Sequence, residues 1–161
     1  MKFLPTFLRT ITLGLLCLLA TAPAAMASYE APLPVKLSTD PDLCAHVPCH
    51  EVLPEAESFS NRKGHPTYVE AYRRENGKEA LIGYVFLSTD IVDIPAYSGK
   101  PVVTLIGMDK NGIITGIKIL RHSEPILLVG IPETELTRFI KQYVGKFVGD
   151  KVSIGSTREG Q

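Results

Sequence analysis

Apolar and polar positions fall into a regular pattern only from about residue 67 onward. Before that, Pro32, Pro34, Pro41, Pro48, Pro54 and Pro66 interrupt every run. Each proline removes a backbone donor and fixes φ, so no helical period can build. Residues 28–66 therefore read as an extended, Pro-rich arm, with one helical turn near Asp42 to His46. Thr67 to Arg73 alternates and predicts a strand. Glu75-Asn76-Gly77-Lys78 is a turn signal. Leu81 to Ser88 is nearly all apolar, the pattern of a strand covered on both faces. Pro101 to Met108 and Ile113 to Leu120 read as two further strands. The Asp109-Lys110-Asn111-Gly112 segment between them is a strong hairpin turn, since Asn-Gly accepts positive φ. The crowded strands also account for Gly107 and Gly116.

The period then changes. Leu136, Phe139, Ile140, Tyr143 and Val144 follow helical spacing and form one apolar stripe. Pro132 suits the first turn. Glu133 and Glu135 suit the positive end of the helix dipole, and Gly145 suits the C-terminal cap. A short strand closes the pattern at Lys151 to Ile154. Four strands, a helix and a strand predict an α+β fold on a mixed, largely antiparallel sheet with one main C-terminal helix.

The N-terminus carries a different signal. Lys2 and Arg9 precede an apolar run from Ile11 to Ala22, and Ala25-Met26-Ala27 has the small-x-small form that a signal peptidase requires. The run is shorter than the ~20 residues of a membrane-spanning helix. Residues 1–27 are thus expected to be a secretory signal peptide and Ser28 the mature N-terminus, with a periplasmic destination. The alternative is an uncleaved anchor from Phe3 to Ala27. No segment of the mature chain is apolar enough to span a bilayer. Loss of Lys2 and Arg9 takes the balance from 17 basic against 17 acidic groups to about −2. Without a basic patch, nucleic acid is not an expected partner.

Cys17 leaves with the signal, so Cys44 and Cys49 remain as an even pair in an oxidising compartment. They read as a disulfide closing a short loop. Two other readings use the same residues. Cys44-x-x-x-x-Cys49-His50 has the order of a c-type haem attachment with two extra residues. With His46 and His50 the pair makes four ligand types for zinc, but the loop is too tight to wrap one ion. No metal is expected.

Two connections are richer than turns need to be. One is Asp90-Ile91-Val92-Asp93-Ile94-Pro95-Ala96-Tyr97-Ser98-Gly99-Lys100-Pro101. The other is His122-Ser123-Glu124-Pro125, followed by the uncharged run Ile126 to Pro132. Polar groups beside an apolar wall suit a planar heterocycle, whose faces need cover and whose edges need hydrogen bonds. The plain alternative is two long surface loops. No nucleophile–base pair and no Gly-rich phosphate loop is present.

The stretches Gly83 to Pro95, Tyr97 to Pro101 and His122 to Glu133, with Glu55 to Phe59 and Arg62-Lys63-Gly64, resemble the N-terminal periplasmic FMN-binding domain of the NosR/NirI family. Those proteins are similar to the flavin subunits of the Rnf and Nqr complexes. The resemblance runs from about Asp42 to the C-terminus and implies a partial FMN-binding domain over residues 67–161. It also implies FMN as cofactor, held near Asp93, Tyr97, Ser98, Gly99, Lys100, His122, Glu124 and Pro125. The implied role is electron transfer and regulation in support of nitrous oxide or nitrite reduction, with the nitrous oxide reductase system as a partner. The module would be non-catalytic in itself.

One departure matters. The family joins FMN through its phosphate to a Thr in a Ser/Asp-Gly-Ala-Thr-x-Thr motif. Here the sequence reads Gly155-Ser156-Thr157-Arg158-Glu159-Gly160-Gln161 before that motif would begin, and Gly155-Ser156-Thr157 lacks the Gly-Ala-Thr order. The expectation is an incomplete domain, either a truncated member or a fragment, with weak or no FMN binding and no covalent tether. The competing expectation is a non-redox periplasmic partner-binding domain with a vestigial flavin site.

Overall fold

A computed structural model of the protein describes residue 37 and residues 39–151. The expected signal peptide, and the expected closing strand beyond Lys151, lie outside the described residues. Five strands form one sheet in the order β1-β2-β3-β4-β5. They are β1 (Ser58–Phe59), β2 (Val69–Glu75), β3 (Lys78–Leu87), β4 (Val103–Asp109) and β5 (Ile114–Arg121). Every neighbouring pair is antiparallel. The α+β expectation therefore holds, and the sheet is a simple meander.

The turns follow from their residues. Asn76 and Gly77 both take positive φ between β2 and β3, at 52° and 78°. At the β4–β5 turn, Asp109 Oδ1 accepts the N–H groups of Asn111 and Ile113, each at 2.8 Å. Those donors hold the Asp109 carboxyl below its ordinary value of 3.8. Such side-chain-to-backbone bonds are why Asp opens turns.

Among the described residues, four short helices complete the fold: α1 (Cys49–Val52), α2 (Ser88–Ile91), α3 (Pro125–Val129) and α4 (Glu133–Lys141). A 3-10 turn at Leu43–Ala45 precedes α1, with Asp42 capping it through a bond from Ala45 N–H. This is the helical turn expected near Asp42 to His46.

The segment read as an extended arm is, over its described part, a packed cap. Among the described residues, Leu37, Leu43, Val47, Cys49, Val52, Leu53 and Ala56 are seven of the twelve buried hydrophobic ones. The other five are Val69, Ala71, Val85, Leu87 and Leu105 on one face of the sheet. Prolines deny this segment long elements, yet its apolar residues must still be buried. Cys44 and Cys49 are joined by a disulfide with Cα atoms 5.4 Å apart, which closes the cap's first loop.

Glycine lets the cap sit down. Gly107 and Gly116 are register partners in β4 and β5. A Cβ on Gly107 would stand 2.3 Å from the Val52 carbonyl oxygen, and one on Gly116 2.5 Å from Val52 Cα. The two bare positions form a trough that receives α1. Thr115 Oγ1 donates to the Val52 carbonyl at 2.7 Å and closes the contact.

Two readings are corrected. β3 is not sealed on both faces: Gly83, Val85 and Leu87 are buried, while Tyr84 and Phe86 between them are only half-buried. The expected helix is shorter than its stripe. Pro132 is the N-cap rather than a first-turn residue, and α4 ends at Lys141, before Tyr143 and Val144. Leu136 and Ile140 are half-buried, but Phe139 is 57% exposed. Periodicity reports where the apolar stripe lies, not what covers it. Among the described residues, no helix is long and apolar enough to cross a membrane.

Candidate functional site

The site grows from the ends of β3 and β5, where the two rich connections leave the sheet. The first is pinned at its neck. Ser88 Oγ donates to the Val102 carbonyl at 3.1 Å and accepts the Thr104 N–H at 3.0 Å. α2 then turns Asp90 inward onto Arg62, and the two side chains are only 11% and 6% exposed. Burial pushes the Asp90 carboxyl up, with Arg62 opposing the shift. Arg62 also donates to the Leu37 carbonyl, so one guanidinium ties the cap to the start of the loop.

Beyond α2 the chain runs out into solvent and returns through a tight turn. Ala96 N–H donates to the Lys100 carbonyl at 3.0 Å, and Gly99 N–H to the Ala96 carbonyl at 2.9 Å. Gly99 sits at φ +76°, where a side chain would be strained. Tyr97, at the tip, is 92% exposed.

The second connection turns through Glu124, whose carbonyl accepts the N–H groups of Leu127 and Leu128 and so starts α3. Pro125 occupies the first turn, where its missing donor costs nothing. The Glu124 side chain turns back into the protein. It is 8% exposed, the single buried polar or charged residue among those described. Its Oε1 accepts the Ser98 N–H at 3.0 Å, so the two connections meet there. The Ser98 hydroxyl and N–H, with the field of His122 adding, hold the Glu124 carboxyl below its ordinary range.

Against β5, α3 and α4 enclose an open groove of about 520 Å³. Ile117, Ile119, Leu127, Leu128, Leu136 and Ile140 supply apolar walls, and Lys118, Arg121 and Lys141 stand with Glu51 and Glu133 among its polar residues. Lys118 is paired with Glu51 at 2.5 Å. His122 lines the same groove. Its Nδ1 is shielded from solvent and has no hydrogen-bond partner.

The sequence-predicted residues divide accordingly. Ser98, His122 and Glu124 lie together, with Gly99 shaping the turn beside them. Lys100 contributes its N–H to Ser98 Oγ at 3.3 Å. Asp93, Tyr97 and Pro125 are exposed. Sequence reasoning missed the Arg62–Asp90 pair and the α4 side of the groove. Arg62 lies in a Pro-broken segment where no periodicity marks an inward-facing residue. Among the described residues, no cluster of side chains could hold a metal ion.

Comparison with known proteins points one way. No protein-family model matches the chain, and no solved structure matches it. The chain is 37% identical over 111 residues to the "Regulatory protein NosR" of Pseudomonas aeruginosa, covering 69% of this chain and 15% of that protein. It is 40% identical over 81 residues to the "Regulatory protein NosR" of Stutzerimonas stutzeri, covering 50% of this chain and 11% of that one. To "Protein NirI" of Paracoccus denitrificans it is 29% identical over 65 residues, covering 40% and 10%. The chain thus spans about a seventh or less of these relatives' length. On these identities the chain belongs to the NosR/NirI family.

Proposed function

We propose that this chain is an exported flavin-binding module serving electron transfer or regulation in nitrous oxide or nitrite reduction. The names of its relatives support a regulatory role. The observation that carries the flavin reading is the Ser98–Glu124 bond. It joins the two connections that resemble the family's flavin domain, beside a groove of about 520 Å³.

The residues present fit FMN. Leu127, Leu136 and Ile140 offer cover for a flat ring, His122 offers an edge group, and Lys141 and Arg121 suit a phosphate. Bound there, FMN would supply the electron-carrying chemistry. The protein's part would be to orient the ring, shield one face from water and set the polarity at its edge. The nitrous oxide reductase system is the partner this reading names, and the periplasm its compartment.

Titration of the full chain with FMN, followed by quenching of flavin fluorescence, tests the reading. Saturable quenching is expected, with no fluorescent band surviving a denaturing gel. Absence of quenching at millimolar FMN would favour a second reading, a non-redox partner-binding module. Exposed Phe139 and Val129, at 57% and 82%, are the observation on its side.

A further inference from the structure

Side chains of a strand alternate between its two faces, so a cavity lying over one face touches every second residue. The groove beside β5 touches Ile117, Lys118, Ile119, Leu120 and Arg121 in unbroken succession. It therefore runs along the edge of the strand, with α3 and α4 as its far wall.

The register tells which main-chain groups line that edge. Lys110 N–H donates to the Ile82 carbonyl at 3.2 Å. Bonded pairs alternate along an antiparallel ladder, so Tyr84 with Met108 and Phe86 with Ile106 are the bonded pairs of β3 and β4. Leu105 and Gly107 then turn their main-chain groups toward β5 and bond their register partners, Lys118 and Gly116. Ile117 and Ile119 lie between these positions, so their N–H and C=O groups point away from β4 and into the groove. Among the described residues, none of these four groups has a backbone partner on that side.

The same edge already accepts added backbone nearby. Gly145 N–H donates to the Ile114 carbonyl at 2.8 Å, and Ile114 N–H donates to the Lys146 carbonyl at 2.9 Å. This segment runs antiparallel to β5. The chain then turns away, with Asp150 N–H donating to the Phe147 carbonyl at 2.9 Å. The sheet's other edge is blunted: β1 has only 2 residues, and short edge strands resist addition. β5 has 8 residues and keeps its far half open.

We propose that the Ile117–Ile119 edge of β5 is a strand-addition site for an extended segment of a separate polypeptide. A partner main chain repeats its donor and acceptor every second residue, about 6.8 Å apart, which is the spacing these groups present. The described chain leaves this edge at the opposite end of β5, so the open stretch is assigned to another polypeptide. Alternate side chains of the added strand continue the face of Ile117 and Ile119. Those between continue the face of Lys118, which pairs with Glu51 at 2.5 Å. The segment selected is thus apolar at every second position and polar between. The site is read from the main chain of β5 and does not rest on the flavin reading. A strand there and FMN would exclude each other from the groove.

The probe is a synthetic peptide of about eight residues alternating valine and threonine, with a twin N-methylated at every residue. Amide hydrogen exchange of the full chain is read by NMR. In the free chain, the Ile117 and Ile119 amides should exchange at least about tenfold faster than those of Gly116 and Lys118. The peptide should slow Ile117 and Ile119 by about tenfold or more and leave Gly116 and Lys118 unchanged. The methylated twin should slow neither. Ile119→Pro removes one outward donor, a change that an edge strand tolerates, and should weaken peptide binding by about tenfold. If that variant fails to fold, the methylated twin still decides.

Ile117 and Ile119 amides as protected as Lys118 in the free chain would show that the chain fills its own edge, and would overturn the proposal. Equal protection by the methylated twin would overturn it too, since side-chain contact alone would then suffice. So would no protection at millimolar peptide. None of these results bears on whether FMN binds, which the flavin titration reads separately.

Discussion

Glu124 is where single-residue chemistry decides most. Its position beside His122 and ahead of Pro125 suggests a ligand contact from sequence alone. The structure instead gives its carboxylate to Ser98, at 3.0 Å from the backbone nitrogen. A buried carboxylate is tolerated when donors compensate its lost hydration, and Ser98 offers two. Glu124→Ala should leave the Ser98 N–H without its acceptor and free the turn at Tyr97 to Lys100. Hydrogen exchange at the Ser98 amide should accelerate by about tenfold or more, while amides in β3 and β4 keep their rates. Unchanged exchange at Ser98 would mean that the Ala96–Lys100 backbone bonds alone hold the turn. Glu124→Gln should fall between the two, since an amide oxygen still accepts but carries no charge.

At the scale of elements, the meander is legible and its cover is not. β2, β4 and β5, with both turns, follow from alternation and from Asn76-Gly77 and Asn111-Gly112, because strand period and turn chemistry are local. The partners of each face are not local. The cap was invisible because Pro41, Pro48 and Pro54 cut Leu43, Val47, Val52 and Leu53 into pieces too short to show a period. Gly107 and Gly116 read as crowded strand positions, which they are, but the crowding comes from α1, more than fifty residues earlier in the chain. Likewise the groove needs α4 beside β5, a relation that helical periodicity alone does not specify. Gly116→Ala tests the trough. The added methyl would meet Val52 Cα at 2.5 Å and its carbonyl oxygen at 2.6 Å, and backbone cannot swing aside as a side-chain tip can. A loss of about 1–3 kcal/mol is expected, read by urea unfolding. Gly77→Ala offers a contrast: open space surrounds it, so its cost should come only from φ +78°. A Gly116→Ala protein as stable as the native one would show that α1 can lift from the sheet without penalty.

For the whole molecule, two contributions to stability respond to different conditions. One is covalent. The Cys44–Cys49 bridge closes a loop with a sequence separation of only 5. The expected contribution is therefore at the lower end of the disulfide range, about 2 kcal/mol. Cys49 is 2% exposed, so a Cys44→Ala, Cys49→Ala pair is a better probe than serine, which would bury a hydroxyl. That pair should lower the thermal midpoint by roughly 5–10 °C, and a reductant should do the same to the native chain. Coincident melts with and without reductant would show that the cap's first loop is held without the bridge.

The other contribution is electrostatic and depends on pH. Asp109, Glu124 and Glu70 all have folded-state pKa values below their ordinary 3.8, 4.5 and 4.5. Glu70 is lowered by the Lys63 ammonium and then by the Tyr72 hydroxyl. For these groups the native state binds fewer protons than the unfolded chain, so stability rises with pH where they titrate. Their contribution is complete above about pH 4.5 and is lost as pH falls through the folded values. Asp90 runs the other way: its pKa is raised above 3.8 by burial. Its contribution is present at low pH and is lost as pH rises through that raised value. Three lowered groups against one raised group predict net acid destabilisation. The urea midpoint should hold nearly level down to about pH 5 and fall below pH 4.5. Glu124→Gln should flatten part of that fall, because an amide does not titrate. Asp109→Asn should flatten another part, and should act independently because Asp109 and Glu124 belong to separate turns. A midpoint that rises as the solution is acidified would show that Asp90 outweighs the other three.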